Sequence, residues 1–226
     1  MRRRLIGSLA FSLALGGLLS LAPLQAAAIT TTFDTDLEGW TAVGLDASVG
    51  LGGLIVTVTD NSADMVHSAT GGNPGGYAQF IDVIVSPASI ASAPAAFLGD
   101  LTSFVGGTFS FDHTIVNEGI FASGFAPYAV IISSGNLGTL NSLVWTAPAP
   151  SGATPWTHFD ITLDQTDLTL IEDVNLSSVD PTFPNVTPSS LGFTGTMTFD
   201  QIMADVTSIL VAFEIVDNQG MQQDEL

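Results

Sequence analysis

The chain has 226 residues, 22 acidic side chains, three arginines and no lysine, for a formal net charge of −19. The arginines are residues 2–4, so residues 29–226 carry 17 Asp, 5 Glu and no Lys or Arg. A surface without cations cannot neutralise phosphates or anionic headgroups, which excludes nucleic acid as a partner and adhesion to anionic lipid. Cysteine is absent, and with it disulfides, thiolate metal sites and cysteine nucleophiles.

Arg2, Arg3 and Arg4 followed by an apolar stretch from Leu5 to about Leu21, closed by Ala26-Ala27-Ala28, have the layout of an export signal. The chain is therefore expected to be processed near Ala28 and to act in a secreted, extracellular or cell-surface setting. Residues 29–226 contain no second apolar run long enough for a transmembrane span. With 46% apolar residues in the whole chain, residues 29–226 can bury one core, and no linker or repeat divides them.

Along that domain, turn residues punctuate short β-branched and aromatic runs, which predicts an all-β fold. Leu54–Thr59 alternates apolar and polar residues as a half-buried strand does. Tyr77–Val85 follows the turn Gly71-Gly72-Asn73-Pro74-Gly75-Gly76, a turn that Pro74 and the glycines explain by chain reversal alone. Thr108–Asp112 places Phe109 and Phe111 on one face. Tyr128–Ile132 and Ser142–Trp145 read as strands, and in Trp156–Leu163 the residues expected inside are Trp156, Phe159, Ile161 and Leu163. Asp164–Gly195 reads as a long surface excursion with a strand near Leu168–Ile171. Thr198-Phe-Asp-Gln201 fits a capping box, followed by Phe199, Ile202, Met203 and Val206 at helical spacing. The spacing predicts one short helix from Phe199 to about Thr207, then a strand over Ile209–Val216. Leu210 and Phe213 join the expected core.

Four stretches in order resemble the laminin B (laminin IV type A) family, in its exported bacterial form. They are Phe33-Asp-Thr-Asp-Leu-Glu-Gly-Trp40, Gly72-Asn-Pro-Gly-Gly-Tyr77, Phe97–Phe111, and Trp156 with Leu163 followed by Phe199–Phe213. The resemblance implies a jelly-roll β-sandwich similar to galactose-binding domains, with the first stretch as strand and turn, and it brings no catalytic residues. It also implies a closing strand after Leu226, so that the chain reads as C-terminally truncated.

No G-x-S-x-G or H-E-x-x-H occurs, and Asp112 and His113 point to opposite faces of a strand. The expected function is a non-catalytic binding or adhesion module for a glycan or a matrix or cell-surface component. The alternatives are a carbohydrate-active hydrolase using paired carboxylates and a structural cell-surface component. Trp145, Tyr77 and Tyr128 are the aromatic candidates for a sugar site, while Trp40 anchors the first turn. Asp34, Asp36 and Glu38 alternate along a segment read as extended, so their oxygens share a face suited to a structural Ca²⁺; related jelly rolls imply an ion near this position. Asn175-Leu-Ser177 and Asn185-Val-Thr187 are formal glycosylation sequons.

Overall fold

The computed structural model describes residues 28–50, 53–60, 65–73, 75–81, 88–117, 128–135, 141–147, 155–175, 185–212 and 223–225. The predicted export signal lies outside them. Twelve strands are described: β1 (Thr41–Gly50), β2 (Gly53–Asp60), β3 (Met65–Gly72), β4 (Gly75–Ile81), β5 (Ala88–Ser92), β6 (Thr108–Asn117), β7 (Tyr128–Ser133), β8 (Ser142–Ala147), β9 (Thr157–Thr162), β10 (Thr169–Leu170), β11 (Ser208–Ala212) and β12 (Gln223–Glu225). One short helix, α1 (Phe199–Met203), precedes β11.

The strands form two antiparallel sheets, ordered β10-β8-β7-β11-β5-β1-β2 and β3-β4-β12-β6-β9. One buried cluster joins them, with Ala42, Val130, Ile132, Leu143, Ile209 and Val211 from the first sheet and Met65, Ala78, Phe80 and Ile161 from the second. The fold is an all-β sandwich. Period-two geometry sorts each strand into an inner and an outer face. Phe109 and Phe111 face inward as expected. Phe111 stacks on Phe159 (centroids 5.1 Å apart, 20° between planes) and meets Trp145 of the opposite sheet edge-on at 6.3 Å.

Several expectations change. Phe33–Trp40 is not a strand; residues 34–36 bend, Glu38 and Gly39 form a turn, and β1 begins only at Thr41. Phe33 (φ 52°) and Glu38 (φ 49°) take left-handed backbone, which breaks an extended run. Trp156 lies an odd number of residues from Phe159, Ile161 and Leu163. It therefore takes the outer face, half-buried, while Ile161 and Leu163 enter the core. Leu210 is buried, but on the face away from the main core, against Ile90 and Ala129; Phe213 lies outside the described residues. The capping box forms, with the Thr198 hydroxyl accepting from Gln201 N–H and the Gln201 side chain accepting from Thr198 N–H. The helix stops at Met203 instead of Thr207 because Val206 is drawn into a two-way backbone bridge with Gly99. Within the 164–195 excursion, Leu168 and Val174 are buried. A short strand, β12, lies between β4 and β6.

That last strand positions the site. β12 reaches only Gln79 of β4 and Thr114 of β6. Among the described residues, no strand lies between residues 75–78 of β4 and residues 108–113 of β6. The five-stranded sheet, among the described residues, is thus slotted at one end.

Candidate functional site

A cleft of about 510 Å³ opens at this slot. Residues 28–33 form one wall, and the β6 segment Thr108–Asp112 with Trp156 and His158 forms the other; Asn73 and Gly76 close one end. Trp40, Phe97, Phe109 and Phe111 line its depth, so the cleft reaches from the outer sheet face to the aromatic core.

The wall of residues 28–33 is held by backbone contact. Gly76 has no side chain because nothing else fits, since a methyl group there would stand 1.8 Å from the Phe33 carbonyl oxygen. Gly75 takes φ 89°, and a methyl group there would meet Asp34 Oδ1 at 2.4 Å. The glycine motif therefore does more than reverse the chain, because it admits the N-terminal segment against β4. His67 Nε2 then donates to the Phe33 carbonyl at 2.6 Å, and Phe33 packs against Trp40 at 6.4 Å.

Trp40 is 5% exposed, and Phe97 meets its ring edge-on at 5.6 Å. The expectation of an anchor holds, with one addition. The indole Nε1–H is buried and has no hydrogen-bond acceptor among the described residues, and this residue lines the cleft. A buried donor left unsatisfied costs about 1–3 kcal/mol, a penalty that a ligand oxygen would relieve.

Trp156, on the cleft lining, forms a T-shaped pair with Tyr77, which is not on that lining, with centroids 6.1 Å apart. Two residues along β9 from Trp156, His158 sits opposite Asp112 in the sheet register. Its Nδ1 lies 3.0 Å from Asp112 Oδ1, and its Nε2 lies 3.2 Å from Asp160 Oδ1. The hydrogen bond to Asp112 is the main reason that the imidazole pKa rises above its ordinary value. His113, next in the chain to Asp112, points the other way into the core, where burial pushes its pKa down to about 3. Asp112 and His113 do not pair, as their places on a strand require.

The remaining candidates are scattered. Trp145 is packed inward on Phe111 and Phe159 and is not the exposed sugar platform the sequence suggests; its alternation with Leu143 puts it on the core face. Tyr128 begins β7, and its side chain lies outside the described residues. Asp34 Oδ2 accepts from the Thr32 hydroxyl at 2.8 Å, Asp36 Oδ1 accepts from Glu38 N–H at 2.6 Å, and Glu38 Oε1 accepts from Thr32 N–H at 3.3 Å. Each acid is engaged locally in a bend, not aligned along a strand face. Among the described residues, no group of three or more His, Asp or Glu is arranged to hold a metal ion. Asn175 and Asn185, the two sequon asparagines, hydrogen-bond each other. No described helix is long and apolar enough to cross a membrane.

No family profile matches the chain, and no curated protein does. Two solved structures are similar in part. The L4b domain of human laminin alpha-2 has a TM-score of 0.36 at 16% identity, over 61% of this chain and 65% of that one. An exo-beta-agarase has a TM-score of 0.42 at 9% identity, over 85% of this chain and 23% of the agarase. The chain thus spans less than two thirds of either.

Proposed function

We propose that this protein is an exported, extracellular binding module that holds a glycan in the cleft at the slotted end of the five-stranded sheet, without turning it over. The observation that carries the reading is the buried Trp40 Nε1–H, a donor without an acceptor among the described residues, in a cleft whose lining also includes Trp156 and Asp112. Sugars present apolar C–H faces between hydroxyls. Tyr77 and Trp156 supply amphipathic aromatic surface, Asp112 and His158 supply hydrogen-bonding groups, and Trp40 supplies a desolvated donor for a hydroxyl or ring oxygen. Export follows from the signal-like first 28 residues, and the remainder acts as one domain.

Binding is favoured over hydrolysis by the placing of the carboxylates. A glycosidase sets two carboxyl groups on either side of the scissile bond. Asp112, on the cleft lining, and Asp160, which is not, are both hydrogen-bonded to the same imidazole. A glycan array and a hydrolase substrate panel, run on the same preparation, test the proposal. Saturable binding to one glycan class with no product release is expected. Turnover abolished by Asp112→Asn or Asp160→Asn would establish the hydrolase, and self-assembly with neither binding nor turnover would establish a structural surface component.

A further inference from the structure

The cleft wall of residues 28–33 is also where the domain begins once the export signal is removed. The signal-like segment closes at Ala26-Ala27-Ala28. A cut there leaves a new α-amine on Ile29, or on Ala28 if the bond before it is cut. Both residues line the cleft. The wall is pinned just behind them. Thr32 N–H donates to Glu38 Oε1 at 3.3 Å, and the Thr32 hydroxyl donates to Asp34 Oδ2 at 2.8 Å. The Phe33 carbonyl accepts from His67 Nε2 at 2.6 Å. Between Ile29 and Thr32 the chain reaches about 10 Å at most, so the amine stays at the cleft.

This amine is unlike any other group of the processed chain. The sequence has no lysine, and its three arginines leave with the signal. An α-amine with an ordinary pKa of about 7.7–8.0 is mostly protonated at neutral pH. The ionisable side chains on the cleft lining are Asp112 and His158, with His158 Nδ1 lying 3.0 Å from Asp112 Oδ1. One wall therefore offers a carboxylate acceptor, and the facing wall gains a charged donor on processing. A glycan hydroxyl both donates and accepts. A sugar between the walls can donate to Asp112 and accept from the ammonium, and a charge-assisted bond of that kind is stronger than a neutral one.

Resting on the glycan-binding reading above, we infer that the α-ammonium created by export processing is a binding group of the cleft, donating to a ligand oxygen from the wall opposite Asp112. In the unprocessed chain the same nitrogen is a neutral peptide amide. The cleft thus reaches full affinity only after export.

The test uses the protein recovered in processed form after export, detected through a C-terminal hexahistidine tag that adds no amine. Its intact mass should place the N-terminus at Ile29 or Ala28; a start elsewhere, or an unprocessed chain, would overturn the inference. Because the chain has no lysine, amine reagents modify this one position. Three forms are applied to the same glycan array. One is unmodified, one is reductively dimethylated, which keeps the positive charge and one N–H, and one is Nα-acetylated, which removes the charge. Hydroxylamine reverses any hydroxyl esters in the acetylated form. Ile29 is 38% exposed, so neither modification disturbs the core. The dimethylated form should hold the same glycan class within about threefold of the unmodified one, and the acetylated form should bind it roughly tenfold more weakly, as loss of a hydrogen bond from a charged group implies. Equal binding by all three forms, or equal loss in the dimethylated and acetylated forms, would overturn the inference while leaving glycan binding intact. Failure of the unmodified protein to bind any glycan on the array would overturn the binding function itself.

Discussion

Acidification should unfold this protein through His113. The side chain is 1% exposed on the inner face of β6, and burial lowers its pKa from 6.5 to about 3. The unfolded chain therefore binds a proton that the folded one refuses. Stability contributed by the neutral imidazole is complete above the ordinary value of 6.5 and is lost as pH falls toward the folded value. One pKa unit corresponds to about 1.4 kcal/mol, so the loss is about 2 kcal/mol by pH 5 and approaches roughly 5 kcal/mol near pH 3. Against a typical stability of about 5–15 kcal/mol, that is a large share. Two other groups act elsewhere. His158, with its raised pKa, contributes below pH 6.5 and loses its contribution as pH rises through the folded value. Asp100 and Asp164, lowered chiefly by the hydroxyls of Thr102 and Thr166, lose theirs only as pH falls below the ordinary carboxylate value. The window from about pH 6.5 to 4.5 is thus left mainly to His113. Urea titrations followed by tryptophan fluorescence across that window should show the wild type losing about 1.4 kcal/mol per pH unit, and His113→Leu losing far less. An identical slope in the two proteins would refute the reasoning.

Further outcomes follow from packing and charge. Phe111→Ala should cost about 3 kcal/mol, the low end for an aromatic truncation because the ring is half-buried, read as a lower urea midpoint. Gly76→Ala should cost more than a typical overpacking change, above about 3 kcal/mol, because the Phe33 carbonyl must move and with it one cleft wall; a melt unchanged from wild type would show that the wall yields freely. Thermal melts in Na⁺, Mg²⁺ and Ca²⁺ at matched ionic strength separate two roles for Asp34, Asp36 and Glu38. The locally hydrogen-bonded bend predicts a rise with ionic strength alone, whereas a Ca²⁺-specific rise lost in the Asp34→Asn, Asp36→Asn double variant would assign them a bound ion.

What could be read directly from the chain was local. Thr198 and Gln201 are three residues apart, so their capping box is a property of a single turn, and it formed. Phe109 and Phe111 share a face because alternation is enforced by the strand itself. Where the reading went astray, the deciding contact was distant. Trp145 is a sugar candidate by residue type, and only its packing on Phe111 and Phe159 of the facing sheet determines that it is inside. Parity alone could have separated Trp156 from Phe159. The Asp34–Glu38 segment looked extended because its acids alternate, but left-handed residues at Phe33 and Glu38 leave no such mark in composition. The rim pair Asp112–His158 spans 46 residues and arises from cross-strand register.

The central claim, that the cleft lined by Trp40 binds a glycan, is tested most directly by replacing Trp40 with phenylalanine. This change keeps an aromatic ring in the core and removes only the orphan donor and part of the ring area. Calorimetric titration with the glycan that the array selects should show an affinity lower by about tenfold, the worth of one desolvated hydrogen bond. The unliganded variant should melt within a few degrees of the wild type, because the donor it loses was unsatisfied. Unchanged affinity in Trp40→Phe, with glycan binding otherwise intact, would place the ligand outside this cleft and contradict the account.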